Sequence, residues 1–203
     1  SIMQLSKDGD SVFGEKIKIT CDCLGMSGGW TPAVHLFTQS GGKLKFRDED
    51  KVFIPNIYTS SQISIGSCNG DFELDEIIKN LSSSLKNFLE IEKTDIDSLN
   101  IKCSKETNKK NIWLMPSDKI IGKTKPFVDY QNDATAKDIK LALREGFRSI
   151  EHVKRYTTTG MGTDQGKLGN MHALGIIADT AGVKMGELGT TTFRPPYTPL
   201  TFG

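Results

Sequence analysis

The stretch TTTGMGTDQGKLGN, Thr157 to Asn170, places Gly160, Gly162 and Gly166 within seven residues. Hydroxyl, amide, carboxylate and ammonium side chains stand between them. Loops of this kind wrap backbone N–H groups around a ligand, as iron–sulfur loops do, yet this one contains no cysteine. A second glycine loop, Gly66-Ser67-Cys68-Asn69-Gly70, follows a short apolar run with Ile63 and Ile65 and precedes a helical pattern. Strand, glycine loop and helix N-terminus together form an arrangement that receives a phosphate-bearing ligand, because glycine lets the backbone approach and first-turn N–H groups point outward. The loop is shorter than the full dinucleotide fingerprint, and acidic Asp71 and Glu73 oppose a phosphate. A plain strand–helix turn is therefore the competing reading.

The other chemistry-bearing residues are scattered. Cys21 and Cys23 form half of a metal-site pattern without a second pair. With Cys68 and Cys103 they read as reduced, structural thiols of a cytosolic protein, a metal or redox role being the alternative. His35, His152 and His172 lie in three segments with no acid or nucleophile at motif spacing, and read as structural. Arg194, before Pro195-Pro196, is a candidate anchor and Tyr197 a packing residue. The lysines at 105, 109 and 110 read as a solvated face.

Composition bounds the remainder. The chain has 203 residues, 36% hydrophobic and 25% charged, with formal net charge +1. That is ordinary globular composition, and the charge balance gives no reason to expect nucleic acid or an anionic membrane as partner. No apolar run approaches the roughly 20 residues needed to span a bilayer, and the first residues show no secretory signal.

The elements that must position these loops follow from pattern. SIMQLS and KIKITCDCLGM read as strands joined by a turn-rich KDGDSVFGE, which would set Cys21 and Cys23 on one strand face. AVHLFTQ is a short amphipathic piece before a Gly-Gly turn. Phe72, Leu74, Ile77, Ile78, Leu81, Leu85 and Phe88 keep helical spacing. Residues 91–125 form a polar connector in which NIWLMP is an extended crossing. Beyond it, Thr135 is an N-cap with Asp138 as box partner, Ile139, Leu141, Ala142 and Leu143 are the buried face, and Gly146 closes the helix. Ser149 opens SIEHVKRYT, and GNMHALGIIADTAG is a third helix. Three short helices around a glycine loop have little core of their own, so the unit needs a cluster or a partner surface. Both ends read as cut from a larger polypeptide, and TTFRPPYTPLTFG reads as a linker.

Two helices followed by GxGxxQG resemble the small domain of bacterioferritin-associated ferredoxins. In that family a C-x-C pair precedes the first helix, and a second pair flanks the glycine loop. Asp129 and Gln131 stand at the first pair's positions, Asp164 and Gly169 at the second's, so all four thiolates are missing and no iron–sulfur cluster is expected. Four longer motifs, MSGGWTP-VHLF-QSGGKL, IGSCNG, FVDYQNDATAKDI through GMGTDQGK, and TTFRPPYTP-TFG, resemble the alpha subunits of heterotetrameric sarcosine oxidases in the same order.

The resemblance implies an α+β or α/β fold with four parts. Residues 1–90 are the C-terminal part of a dinucleotide-binding domain, 91–125 a connector, 126–186 a small all-helical domain without cysteine ligands, and 187–203 a Pro-rich linker toward a folate-binding domain. It implies NAD at a partial site of Gly66, Ser67, Gly70, Phe72 and Leu74. Leu74 departs from the threonine usual in the family. It further implies FMN shared with a beta subunit, with Thr158, Thr163, Gln165 and Lys167 on the alpha side, FAD in the beta subunit, and tetrahydrofolate in the further domain. The implied partners are beta, gamma and delta subunits in the cytoplasm. The implied reaction is oxidative demethylation of sarcosine to glycine, yielding hydrogen peroxide and formaldehyde or 5,10-methylenetetrahydrofolate, with no catalytic residue in this stretch. The alternative is an electron-transfer module of an opine- or cyanide-forming dehydrogenase, whose alpha subunits share the architecture but keep the cysteines.

Overall fold

The structure is a computed structural model and describes residues 1–59, 61–92, 96, 99, 101, 111–119, 123–195, 198 and 201–202. Cys103, Lys105, Lys109, Lys110 and Tyr197, all assigned roles above, lie outside the described residues. The fold is mixed helix and sheet. Every strand pair among the described residues is two-stranded and antiparallel, as short connections demand, since parallel pairing needs a crossover of a dozen residues or more. The chain divides into two compact units, one of 1–29, 110–192 and 198–203, the other of 30–109 and 193–197.

The first unit opens with a hairpin of β1 (Ile2–Leu5) and β2 (Val12–Ile17). Its turn is closed by Ser6, whose hydroxyl accepts the N–H groups of Asp10 and Ser11, both at 3.2 Å. That closure starts pairing at Val12, earlier than the hydrophobic pattern predicts. β2 therefore ends at Ile17, and Cys21 and Cys23 are exposed in coil rather than side by side on a strand.

The helical region follows. Phe127–Asp129 (β5) pairs with Ala134–Thr135 (β6), so the region is not purely helical. α3 (Ala136–Arg144) begins at Thr135 with a reciprocal box: Asp138 N–H donates to the Thr135 hydroxyl oxygen, and Thr135 N–H donates to the Asp138 carboxylate at 2.9 Å. It ends in a Schellman motif, Phe147 N–H to Ala142 C=O and Gly146 N–H to Leu143 C=O, both at 3.1 Å. Leu141, expected in the core, is half-buried, whereas Ala136 is buried. α4 (Ile150–Thr157) has Ser149 at its N-cap position, but the hydroxyl makes no cap bond. α5 (Asn170–Ala181) stops at Gly182 in the left-handed region, and a short α6 (Met185–Leu188) follows.

α3 packs against both α4 and α5. Ile139, Val153, Leu174 and Ile177, from three helices, are the largest fully buried side chains. The unit thus has an apolar core of its own, contrary to the expectation that three short helices would have little core. Trp113, expected in an extended crossing, lies against α5 instead. A Cβ on Gly175 would stand 2.2 Å from the indole, so only glycine lets the ring reach the helix backbone.

The second unit contains α1 (His35–Gln39), an antiparallel pair of β3 (Lys43–Arg47) and β4 (Val52–Ile57), a 3₁₀ turn over Gly66–Asn69, and α2 (Leu74–Leu89). Val34, Phe37, Val52, Phe53 and Ile54 are among its buried apolar residues. α2 is amphipathic but no residue of it is fully buried.

Candidate functional site

The loop after α4 is built by three side chains that stand where thiolates would in the ferredoxin-like pattern. Asp129, at the end of β5, is buried at 7% exposure. Its Oδ1 accepts the N–H groups of Gln131 at 2.9 Å and Asn132 at 3.0 Å, and its Oδ2 accepts Gly160 N–H at 2.7 Å and Asn132 Nδ2 at 3.4 Å. Burial pushes this carboxyl up, but the N–H groups of Gly160 and Asn132 and its other donors outweigh burial and hold it below the usual carboxylate range. Gln131 Oε1 accepts both the N–H and the hydroxyl of Thr163, each at 2.7 Å. Asp164 closes the far side, receiving Gly166 N–H and Leu168 N–H at 3.2 Å.

The fourth position is sterically shut. A Cβ on Gly169 would lie 2.3 Å from the backbone carbonyl oxygen of Val128. A cysteine there would require the loop and β5 to part. The interior of the loop is also taken, because Asn170 Oδ1 would be 2.3 Å from a Cβ on Gly160 and 2.1 Å from one on Gly166. Both glycines have φ of +74°, which other residues rarely adopt. Asn170 Nδ2 in turn donates to the buried Thr191 hydroxyl at 2.9 Å. An iron–sulfur cluster does not fit these residues: the donor set has no thiolate and one ligand position has no room for a side chain.

The residues expected at a flavin interface all lie on this loop. Thr158 and Thr163 are exposed, while Gln165 and Lys167 are half-buried. Thr163 spends its N–H and hydroxyl on Gln131, and the Lys167 ammonium lies 3.5 Å from the Asp164 carbonyl. Thr158 and Gln165 have φ of 60° and 53°. Such left-handed non-glycine residues are held by their surroundings.

The glycine turn of the second unit is smaller. Gly66 and Gly70 are buried, and Ser67, Phe72 and Leu74 are exposed around them. Gly70 N–H donates to Ser67 C=O and Asp71 N–H to Gly66 C=O, both at 3.1 Å. α2 starts at Leu74 with no side-chain cap, so its first-turn acids are Asp75 and Glu76 rather than Asp71 and Glu73. Asp71 lies outside the helix and accepts Asn80 Nδ2 at 3.0 Å. A dinucleotide phosphate would find uncapped first-turn N–H groups here, with the two helix acids opposing it.

Three contacts escaped sequence reasoning. Asn170 follows the glycine motif and carries no signal of its own. Glu151 accepts Thr192 N–H at 2.6 Å and faces Lys154 and Arg155 at 3.7 and 3.3 Å; burial raises its carboxyl, but Thr192 and the two cations leave it below the usual range. Arg194 is held through its carbonyl, by Gln39 Nε2 at 3.0 Å. Of the histidines, His35 is buried against the Phe193 ring at 3.9 Å, His172 stands edge-on to Trp113, and His152 is exposed. Among the described residues no group of His, Cys, Asp and Glu could hold a metal ion. No described helix is long and apolar enough to cross a membrane.

A loop with this glycine spacing, its thiolates replaced, has relatives. Residues 123–203 match the family described as Sarcosine oxidase A3 domain. The chain is 36% identical over 201 residues to the sarcosine oxidase alpha subunit of Rhizobium meliloti (strain 1021), covering 94% of this chain and 19% of that protein. It is 34% identical over 203 residues to the protein of that name from Corynebacterium sp. (strain P-1), covering 95% and 21%. The chain belongs to the sarcosine oxidase alpha-subunit family. It spans about a fifth of the length of the curated relatives it matches. An opine oxidase subunit of Rhizobium meliloti (strain 1021) is 35% identical over 71 residues, covering 35% of this chain and 16% of that protein. Among solved structures, L-proline dehydrogenase from P. horikoshii aligns with a TM-score of 0.49 at 18% identity, over 85% of this chain and 36% of that chain, a likeness too distant to carry an argument. Within the alpha-subunit family, the helical region with its thiolate-free loop is the part that the A3 match covers.

Proposed function

We propose that this chain is a non-catalytic part of a sarcosine oxidase alpha subunit, serving an assembly that demethylates sarcosine oxidatively to glycine. The products are hydrogen peroxide and formaldehyde, or 5,10-methylenetetrahydrofolate when the one-carbon unit is captured. The carrying observation is the loop at 157–170, whose fold is held by Asp129, Gln131 and Asp164 where an electron-transfer domain would hold a cluster. A loop so fixed is a surface rather than a redox centre. On this reading it faces a flavin-bearing beta subunit, with gamma and delta subunits completing the assembly, and Lys167 and Thr158 supply polar contacts to FMN.

The turn at Gly66–Gly70 supplies part of an NAD cradle. Ser67, Phe72 and Leu74 touch the dinucleotide, and Gly66 and Gly70 let the backbone come close. These residues bind and orient the dinucleotide and carry no chemistry themselves. FAD and tetrahydrofolate belong to other parts of the assembly. The overlap with the opine oxidase relative favours a second reading, an opine-oxidising module, over about a third of the chain.

Isolation of the native assembly decides between them. Co-purification with a flavoprotein, no iron, and peroxide formed from sarcosine is the expected result. Stoichiometric iron and sulfide would overturn it in favour of electron transfer.

A further inference from the structure

We propose that Thr191 and Thr192 form a strap that locks the glycine loop at 157–170, so that loop and strap open together. The inference stands on hydrogen bonds within the helical region and is independent of what meets the loop's outer face. The Asn170 amide sits between Gly160 and Gly166, in the space that a Cβ on either would need. Its Nδ2 donates to the Thr191 hydroxyl at 2.9 Å, across 21 residues of sequence. Thr191 is buried at 5% exposure. The next residue is tied to another element: Thr192 N–H donates to Glu151 Oε1 at 2.6 Å, 41 residues away. Glu151 lies in the first turn of α4, and α4 runs directly into the loop at Thr157. Strap, α4, loop and Asn170 thus close a ring.

Each link depends on the next. If Thr191 withdraws, Asn170 loses the acceptor that fixes its amide, and a turn of that side chain empties the space between Gly160 and Gly166. If the loop opens first, the Thr191 hydroxyl loses its donor in a buried place, where an unmet polar group is costly. Coupling of this kind is reciprocal: whatever stabilises the closed loop also holds the strap, by the same factor. The path into the strap is set by Gly189, which ends α6 with φ of 70° and ψ of −170°. That backbone conformation is essentially confined to glycine. A Cβ there would meet nothing within 4 Å, so the constraint is one of chain direction alone. The loop's shape is therefore decided partly by a segment that lies beyond α6.

The test reads amide exchange in the native assembly by mass spectrometry, on peptides spanning the loop and the strap. Thr191→Val keeps the shape of the side chain and removes the acceptor. It is expected to speed exchange in the loop roughly fivefold, the weight of about one hydrogen bond. Asn170→Ala should speed exchange in the strap by a similar factor, since the coupling runs both ways. Gly189→Ala removes no hydrogen-bonding group from either place and should still loosen both peptides. Loop exchange that stays unchanged in Thr191→Val, while the strap alone loosens, would overturn the inference. If neither Thr191→Val nor Asn170→Ala assembles, Glu151→Ala decides, because it frees Thr192 N–H from α4. Faster exchange in both peptides then supports the coupling, and an unchanged loop sinks it.

Discussion

The two glycine loops solve the same problem with opposite charges. At 157–170 the backbone N–H groups turn inward and anionic or amide oxygens from Asp129, Gln131 and Asp164 receive them. At 66–70 a carbonyl turns inward and a cation, Arg47, receives it. The first loop has spent the backbone N–H groups of Gly160, Thr163, Gly166 and Leu168 on its own protein. The second keeps its exposed edge for something else. A glycine motif alone therefore does not say what a loop holds, and the side chains behind it do.

The comparison predicts unequal responses to equal substitutions. Asp129→Ala strands the N–H groups of Gly160, Gln131 and Asn132, and should cost about 3 kcal/mol in a denaturant melt. Asp71→Ala, the matching deletion in the other loop, should cost only a few tenths, because its partners are side-chain amides near solvent. Equal losses would erase the distinction between a self-satisfied and an outward-facing loop.

Gly169→Ala should cost about 2 kcal/mol, since the new Cβ meets backbone rather than a movable side chain. A neutral result would show that the fourth ligand position still has room. The pH response is next. Folded Asp129 binds its proton more weakly than it does unfolded, so its stabilisation is complete above its unfolded pKa, about 3.9, and is lost as pH falls through the lower, folded value. Asp129→Asn should flatten that acid limb of the stability curve, while Glu151 keeps its own share. Gln131→Ala, which frees Thr163, should cost only about 1 kcal/mol and show as faster amide exchange at Thr163.

Local rules were legible and long-range ones were not. The capping box at Thr135 and Asp138 lies within four residues, and the Schellman closure at Gly146 needs only a glycine after a helical run, so both could be read directly. Ser149 fits the same rule but spends no bond on it, because residue type sets what a cap can do and the loop's path sets whether it does. The β5–β6 pair escaped because two- and three-residue strands carry no alternation to detect. The inward carbonyl of Gly70 and the plug of Asn170 escaped because their partners are distant in sequence or depend on backbone rotation. The family motifs located the loop at 157–170, but its replacement of ligands by hydrogen bonds became readable only when Asp129 was seen against Gly160.

The placement of Trp113 on Gly175 has an optical consequence. The chain has two tryptophans, one in each unit, and Trp30 is 82% exposed. The water-facing indole emits to the red whether or not the chain is folded. The indole lodged on α5 beside His172 is expected to emit to the blue and to shift to the red as the helix unfolds. A single emission spectrum therefore carries a steady band from one unit and a responsive band from the other, so unfolding of the helical region can be followed without any label.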